Sequence, residues 1–495
     1  MRAYDHLAAA HRDLHQLRAI TDHLHWDQAT YLPAGGQGQR AAQLATLAAL
    51  VHRQATRAEL GGWLDRAADE ALDPLERRNL ALMRRDYRRR TAIPESLARE
   101  TARVSAEAWA AWKAAREADD FTAFARHLER VLAVARERGA LLADGGSPYE
   151  ALLDEYEPGL TEAALERLFT PLREGLAALV ARIRESHVRR DGACMQGEFP
   201  VPAQQRLAVG LVKAMGFDTR RGRIDTTVHP FCSGTVGDVR LTTRYNVADV
   251  REGIGSIVHE TGHGLYEQGL DPALADQPVG GSLSMGIHES QSRLWENQVA
   301  RSRAGAAWLL GHLREAFPDR FRGVVAEETY QAMNVVAPGL IRTEADEVHY
   351  NLHILLRWEI ERGLIAGEIP VAELPELWRE RMRAWLGIDV PNDRDGCLQD
   401  VHWSSDFGYF PTYTLGNLYA AQLYATVRRE ISDLDQRVAV GDLLPLRDWL
   451  RDRVHRHGSR LTQEELINEV TGAPLSEGPL LDYLNEKFGE LYGLG

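Results

Sequence analysis

The stretch His259-Glu260-Thr261-Gly262-His263 constrains this chain more than any other. Two His four positions apart face the same way only on a helix, where they differ by about 40° in bearing and roughly 6 Å in height. Both imidazoles then reach one metal ion, while Glu260 lies to the side, better placed for a water than for the metal. Residues 250–270 are therefore expected to be helical, and the rest of the chain is read by what it adds to that helix.

A catalytic zinc takes three protein ligands and leaves one position open, so the pair needs a third. Glu289 is the first acid on the following helical pattern, residues 282–303. Its competing role is an ion pair with Arg293 one turn on. A site with two His and no third ligand is not a stable zinc site, which favours Glu289 as the ligand. A structural zinc would be closed by four ligands, usually including Cys, yet Cys194, Cys232 and Cys397 all lie far from His259 in sequence.

With 495 residues, 44% of them hydrophobic, the chain can bury a sizeable core. A net charge of −14 argues against a nucleic-acid surface, and the basic run 84–90 reads as a solvated helix face. Three scattered Cys make no disulfide framework. The first twenty residues lack an apolar core, and no stretch approaches about 18 apolar residues. The expectation is a soluble cytoplasmic protein with no nucleic-acid or membrane partner.

Apolar positions recur every three or four residues over 4–24, 39–53, 74–92, 94–117, 120–142 and 161–185, so the fold is expected to be mainly α. Turn formers in 26–36 interrupt the first of these. Residues 147–159, dense in acids and aromatics, read as a solvated connector. Two short strands are expected at 223–229 and 238–245, with the second offering an edge to an extended peptide. Residues 341–366 read as one helix, with Arg342, Asp346, His349 and His353 stacked on a polar face. On a cleft wall, Arg342 would hold a carboxylate bidentately. His402, Tyr409 and Tyr413, in a stretch rich in Gly, Pro and aromatics, are the right donors for an oxyanion.

Taken together, these stretches resemble the M32 family of metallocarboxypeptidases, the Taq carboxypeptidase type. The patterns are His229-Pro230-Phe231, DxRxT at 238–242, HExxH at 259–263, His288-Glu289-Ser290-Gln291, the run 341–346 and GxxQDxHW at 396–403. The segments around Trp26-Asp27 and 148–159 look like that family too. The resemblance implies a single large helical zincin-like domain over 1–495 with a deep groove and a small antiparallel β element. A helical hairpin subdomain over the groove, about residues 1–110, is part of that expectation. It also implies one zinc per chain, with cobalt or manganese as substitutes, a homodimer, and removal of single residues from free peptide C-termini with broad preference and poor action on C-terminal Pro. Carried over by motif, His259, His263 and Glu289 would bind zinc and Glu260 would be the general base. Arg342 would anchor the terminal carboxylate. Tyr413 would donate to the oxyanion, with Tyr409 and His402 beside it and His229 and Arg240 in the groove. An endopeptidase or oligopeptidase with the same metal site, and a non-catalytic helical zinc protein, remain the alternatives.

Overall fold

Helices are what the apolar period predicts, and the computed structural model, which describes residues 1–494, consists of helices around one three-stranded sheet. The first helix, Ala3–Thr30, runs straight through Trp26 to Thr30, where a break was expected. The Asp27 carboxylate accepts from Arg40 Nη2 at 2.6 Å, binding that last turn to the next helix, Gln37–Thr56. The turn formers act only from Tyr31 onward. With Ala58–Ala68 and Pro74–Ala92, these helices enclose a small apolar core that includes Leu7, Leu60, Leu64, Leu80 and Met83, distinct from the main core.

The basic run and the acidic connector are not the solvated segments expected from their charge, because each neutralises the other. Arg85 and Arg89 donate to the Asp154 side chain at 2.7 and 2.8 Å. Pro148–Leu153 is a helix that buries Tyr149, Leu152 and Leu153, and Glu157 is fully buried beyond it.

The sheet is mixed rather than antiparallel. Strands β1 (Gly222–Thr226), β2 (Cys232–Thr235) and β3 (Asp238–Thr243) lie in the order β1-β3-β2. β3 runs parallel to β1, with Ile224 opposite Leu241, and antiparallel to β2, with Ser233 opposite Arg240. β3 is thus central and has no free edge. Alternation in a sequence reports which face a side chain occupies, not which strand lies beside it.

The helix carrying the motif, Val250–Gly269, starts at Asp249, whose side chain accepts from the Arg251 N–H. Thr243, at the end of β3, donates to Ser256 Oγ at 3.0 Å and ties the sheet to this helix. The next helix, Met285–Arg293, approaches so closely that a Cβ on Gly262 would collide with the Gln291 carbonyl and Ser292 Cα. On another side passes the helix Pro411–Glu430, where a Cβ on Gly416 would collide with the Glu289 side chain. After Arg293 the chain winds as a π-helix over Leu294–Ala300, a departure from the uninterrupted helix expected to 303. The Arg301 N–H donates to the Glu296 carbonyl five residues back at 3.1 Å.

The single helix expected over 341–366 is also divided. Arg342–Glu344 is a 3₁₀ turn, and the α-helix is Tyr350–Ala366. Asp346 explains the division: its Oδ1 accepts from the Val348 and His349 N–H groups at 2.9 and 3.0 Å, offering this backbone a partner other than a preceding helical turn. Arg342, Asp346, His349 and His353 therefore share no helix face. No described helix is long and apolar enough to cross a membrane.

Candidate active site

Helix geometry alone sets His259 beside His263, and the close approach of the following helix brings Glu289 to both. One ligand atom from each of the three lies within 4.8 Å of the others. Glu289 Oε2 is 3.6 Å from His259 Nε2 and 3.4 Å from His263 Nε2. The far nitrogens are engaged elsewhere. His259 Nδ1 donates to Glu296 Oε2 at 2.9 Å, and His263 Nδ1 lies 3.1 Å from the His288 carbonyl oxygen and 2.7 Å from the His288 ring. Both Nε2 atoms are thus left as lone-pair donors facing one carboxylate oxygen, and this N,N,O set suits a divalent metal with an open fourth position.

Glu289 also pairs with Arg293, the competing role weighed from the sequence, while its other oxygen faces the two His. Arg293 Nε donates to Glu289 Oε1 at 2.7 Å and Nη1 to Glu296 Oε2 at 3.0 Å. One guanidinium therefore steadies Glu289 and the carboxylate behind His259. Burial alone would raise the Glu289 carboxyl, but Arg293 and the two His outweigh it and hold it well below its ordinary value. The π-helix completes this layer, since the five-residue spacing lets Arg301 Nη2 reach Glu296 Oε1 at 2.8 Å.

Glu260 is 6% exposed, and burial pushes its carboxyl up to about 7, with Glu289 and Glu296 adding to the rise against His259. A second group lies around Arg342, which is 6% exposed. Its Nε and Nη2 donate to Asp400 Oδ1 at 3.0 and 2.7 Å, and its backbone N–H donates to Gln399 at 2.9 Å. The other Asp400 oxygen accepts from Arg357 at 2.6 Å. Tyr413 stands in the first turn of its helix with its ring 5.0 Å from the Arg342 guanidinium, and Glu289 acts on its hydroxyl electrostatically. Burial keeps that hydroxyl protonated, well above its ordinary pKa, and pushes Tyr409 up to about 12. His402 Nε2 is 3.3 Å from the Tyr413 hydroxyl, and burial pushes its imidazole down to about 4, so it is neutral.

Tyr350 links the two groups, and nothing in the sequence signals it. Arg293 lies 4.3 Å over its ring, and its hydroxyl is 3.5 Å from Arg342 Nη1. The structure places Arg240 on the sheet and His229 in the segment between two of its strands. Arg240 pairs with Asp238 at 2.5 Å and stacks 4.3 Å over Trp26, and His229 is exposed between β1 and β2. Glu296, Asp400 and Arg357 were also missed. An acid three residues beyond Arg293 is a visible signal for Glu296, but the π turn that fastens it is not.

Two His and a Glu from consecutive helices, with a buried Glu adjoining the first His, define a metallopeptidase site of the gluzincin class. Residues 6–488 match the family model for carboxypeptidase Taq (M32) metallopeptidase, and the chain belongs to that family. It is 43% identical to thermostable carboxypeptidase 1 of Thermus thermophilus, with 99% of each chain covered. It is 35% identical to carboxypeptidase 1 of Bacillus subtilis over 95% of this chain and 94% of that one. An M32 carboxypeptidase from Deinococcus radiodurans superposes with a TM-score of 0.96 at 39% identity, covering 99% of both chains. Metallocarboxypeptidase 1 of Trypanosoma cruzi gives 0.94 at 35%, covering 98% of this chain and 99% of that one.

Proposed function

We propose that this protein is a zinc carboxypeptidase that removes single residues from free peptide C-termini, with broad side-chain preference and poor action on C-terminal Pro. One observation carries the exopeptidase reading: Arg342 and Arg357 share the single carboxylate of Asp400. That triad keeps one buried positive charge in excess, and a peptide's terminal carboxylate supplies the missing negative charge.

A zinc ion held by His259, His263 and Glu289 would supply a Lewis acid and lower the pKa of water, and cobalt or manganese suits the same donors. Glu260 takes the proton of the attacking water and returns it to the leaving amine, a role that its raised proton affinity suits. Tyr413, kept protonated, donates to the oxygen on which charge develops, with Tyr409 and neutral His402 beside it. Arg342 sets the distance between the chain end and the bond that is cut, and Arg240 and His229 contact the peptide further along. The family resemblance supports a cytoplasmic homodimer as the working form.

The test is a short peptide offered with a free or an amidated C-terminus, with and without chelator, and products followed by mass. The free acid is expected to shorten from its C-terminus, the amide to react far more slowly, and chelator to stop both. Equal rates on acid and amide, or loss of N-terminal residues, overturn the reading.

A further inference from the structure

The two metal-binding imidazoles are held from behind in different ways. Behind His259 stands a carboxylate, Glu296, in direct contact. Behind His263 stands another ring. His288 Nδ1 is 2.7 Å from His263 Nδ1, the ring centroids are 4.6 Å apart, and His288 Nε2 is 2.8 Å from Glu267 Oε1. A carboxylate only accepts, so the hydrogen between Glu267 and His288 lies on Nε2 of His288. Where Nε2 carries that ring's hydrogen, Nδ1 of His288 is the acceptor 2.7 Å from His263 Nδ1–H. That hydrogen in turn leaves His263 Nε2 bare, on the side of Glu289. This arrangement of hydrogens across the three side chains is the one a metal requires.

We propose that His288 and Glu267 are positioning residues that preset the His263 tautomer before any metal arrives, a carboxylate–imidazole–imidazole relay matching the direct carboxylate behind His259. Glu267 lies four residues after His263 on the motif helix, and His288 directly precedes the ligand Glu289, so the relay closes across the same helix pair that forms the site. The rival acceptor is the His288 backbone carbonyl, 3.1 Å from His263 Nδ1, which every substitution at 288 retains.

The test uses full-length metal-free protein, with zinc affinity measured by competition against a chromogenic chelator and tautomers read from histidine ¹⁵N shifts. H288F keeps a ring of similar size and removes the acceptor; a 10- to 100-fold loss of zinc affinity is expected, the range for partners behind a ligand. E267L is expected to lose less and to shift the His288 and His263 nitrogens while leaving those of His259 in place. E267Q, whose amide oxygen accepts the same bond, is expected to recover most of the affinity. Wild-type affinity and unchanged His263 shifts in H288F and E267L overturn the relay and assign the hydrogen to the carbonyl. If H288F is unfolded by circular dichroism, E267L against E267Q decides. The inference rests on the metal reading above, and a wild-type protein that takes up no zinc would defeat that reading instead.

Discussion

The metal half of the site and the half around Arg342 are assembled by different physics. The metal half comes from two consecutive helices and the π turn after them, residues 259–301, where helix spacing does the positioning. The half around Arg342 draws on a 3₁₀ turn, a later helix, the loop at Asp400 and the first turn of another helix. Charge organises that half: Asp400 turns two guanidiniums toward each other that would otherwise repel. A change in the first half should therefore act on turnover and metal affinity, and one in the second on which peptide ends are accepted.

The sharpest attempt to break this division is Glu260→Gln. Turnover should fall about 10²- to 10⁴-fold, the range for a lost general acid–base, while metal content by mass spectrometry stays at wild type. Loss of metal together with turnover would deny Glu260 its separate role. Arg342→Ala comes next. Its cost should be about 2–5 kcal/mol in kcat/KM on free-acid peptides, with amidated peptides little affected, so the preference for a free end collapses. Unchanged discrimination would place the anchor elsewhere.

A pH effect separates the halves without touching the metal. His402 has a folded pKa of about 4 against an ordinary 6.5, so the unfolded chain binds the extra proton between those values. Stability is full above pH 6.5 and declines as pH falls toward 4, by about 3 kcal/mol from this residue. His402→Gln should flatten that part of the melting-temperature profile of metal-free protein, and an unaltered slope would contradict the buried neutral ring. The smallest expected effect is Arg293→Lys, which keeps the charge but cannot span Glu289 and Glu296. Zinc affinity should drop about tenfold with little change in KM.

The same division separates what the sequence discloses from what it hides. His259, Glu260 and His263 are legible because helix spacing alone sets their geometry, and Glu289 is legible as the first acid on the next helix. The π turn that fastens Glu296 is hidden because residues 294–300 are all buried, so no apolar period marks the change from α to π winding. Arg342 is legible as a cationic residue near a helix, but the extent of that helix is not, because Asp346 fits a helix face in sequence while its carboxylate closes a turn onto the Val348 and His349 N–H groups. Asp400 falls within the GxxQDxHW pattern but nothing local assigns it a partner, and Tyr350 has no signal at all, since their work is done across 58 and 8 residues of chain respectively, toward the same guanidinium. The mixed order of the sheet is hidden for a similar reason, as the partner of a strand lies outside its own pattern.

The two glycines flanking the Glu289 helix carry one more consequence. Gly262 and Gly416 each meet that helix with bare backbone, so the gap that His259, His263 and Glu289 span is gauged by the thickness of atoms in contact. Such a gauge does not weaken with ionic strength or acidity as a charged contact does. It also has no tolerance for addition: an alanine at either position, small and helix-favouring as it is, would wedge Glu289 away from His259 and His263 while all three stayed in place in the sequence.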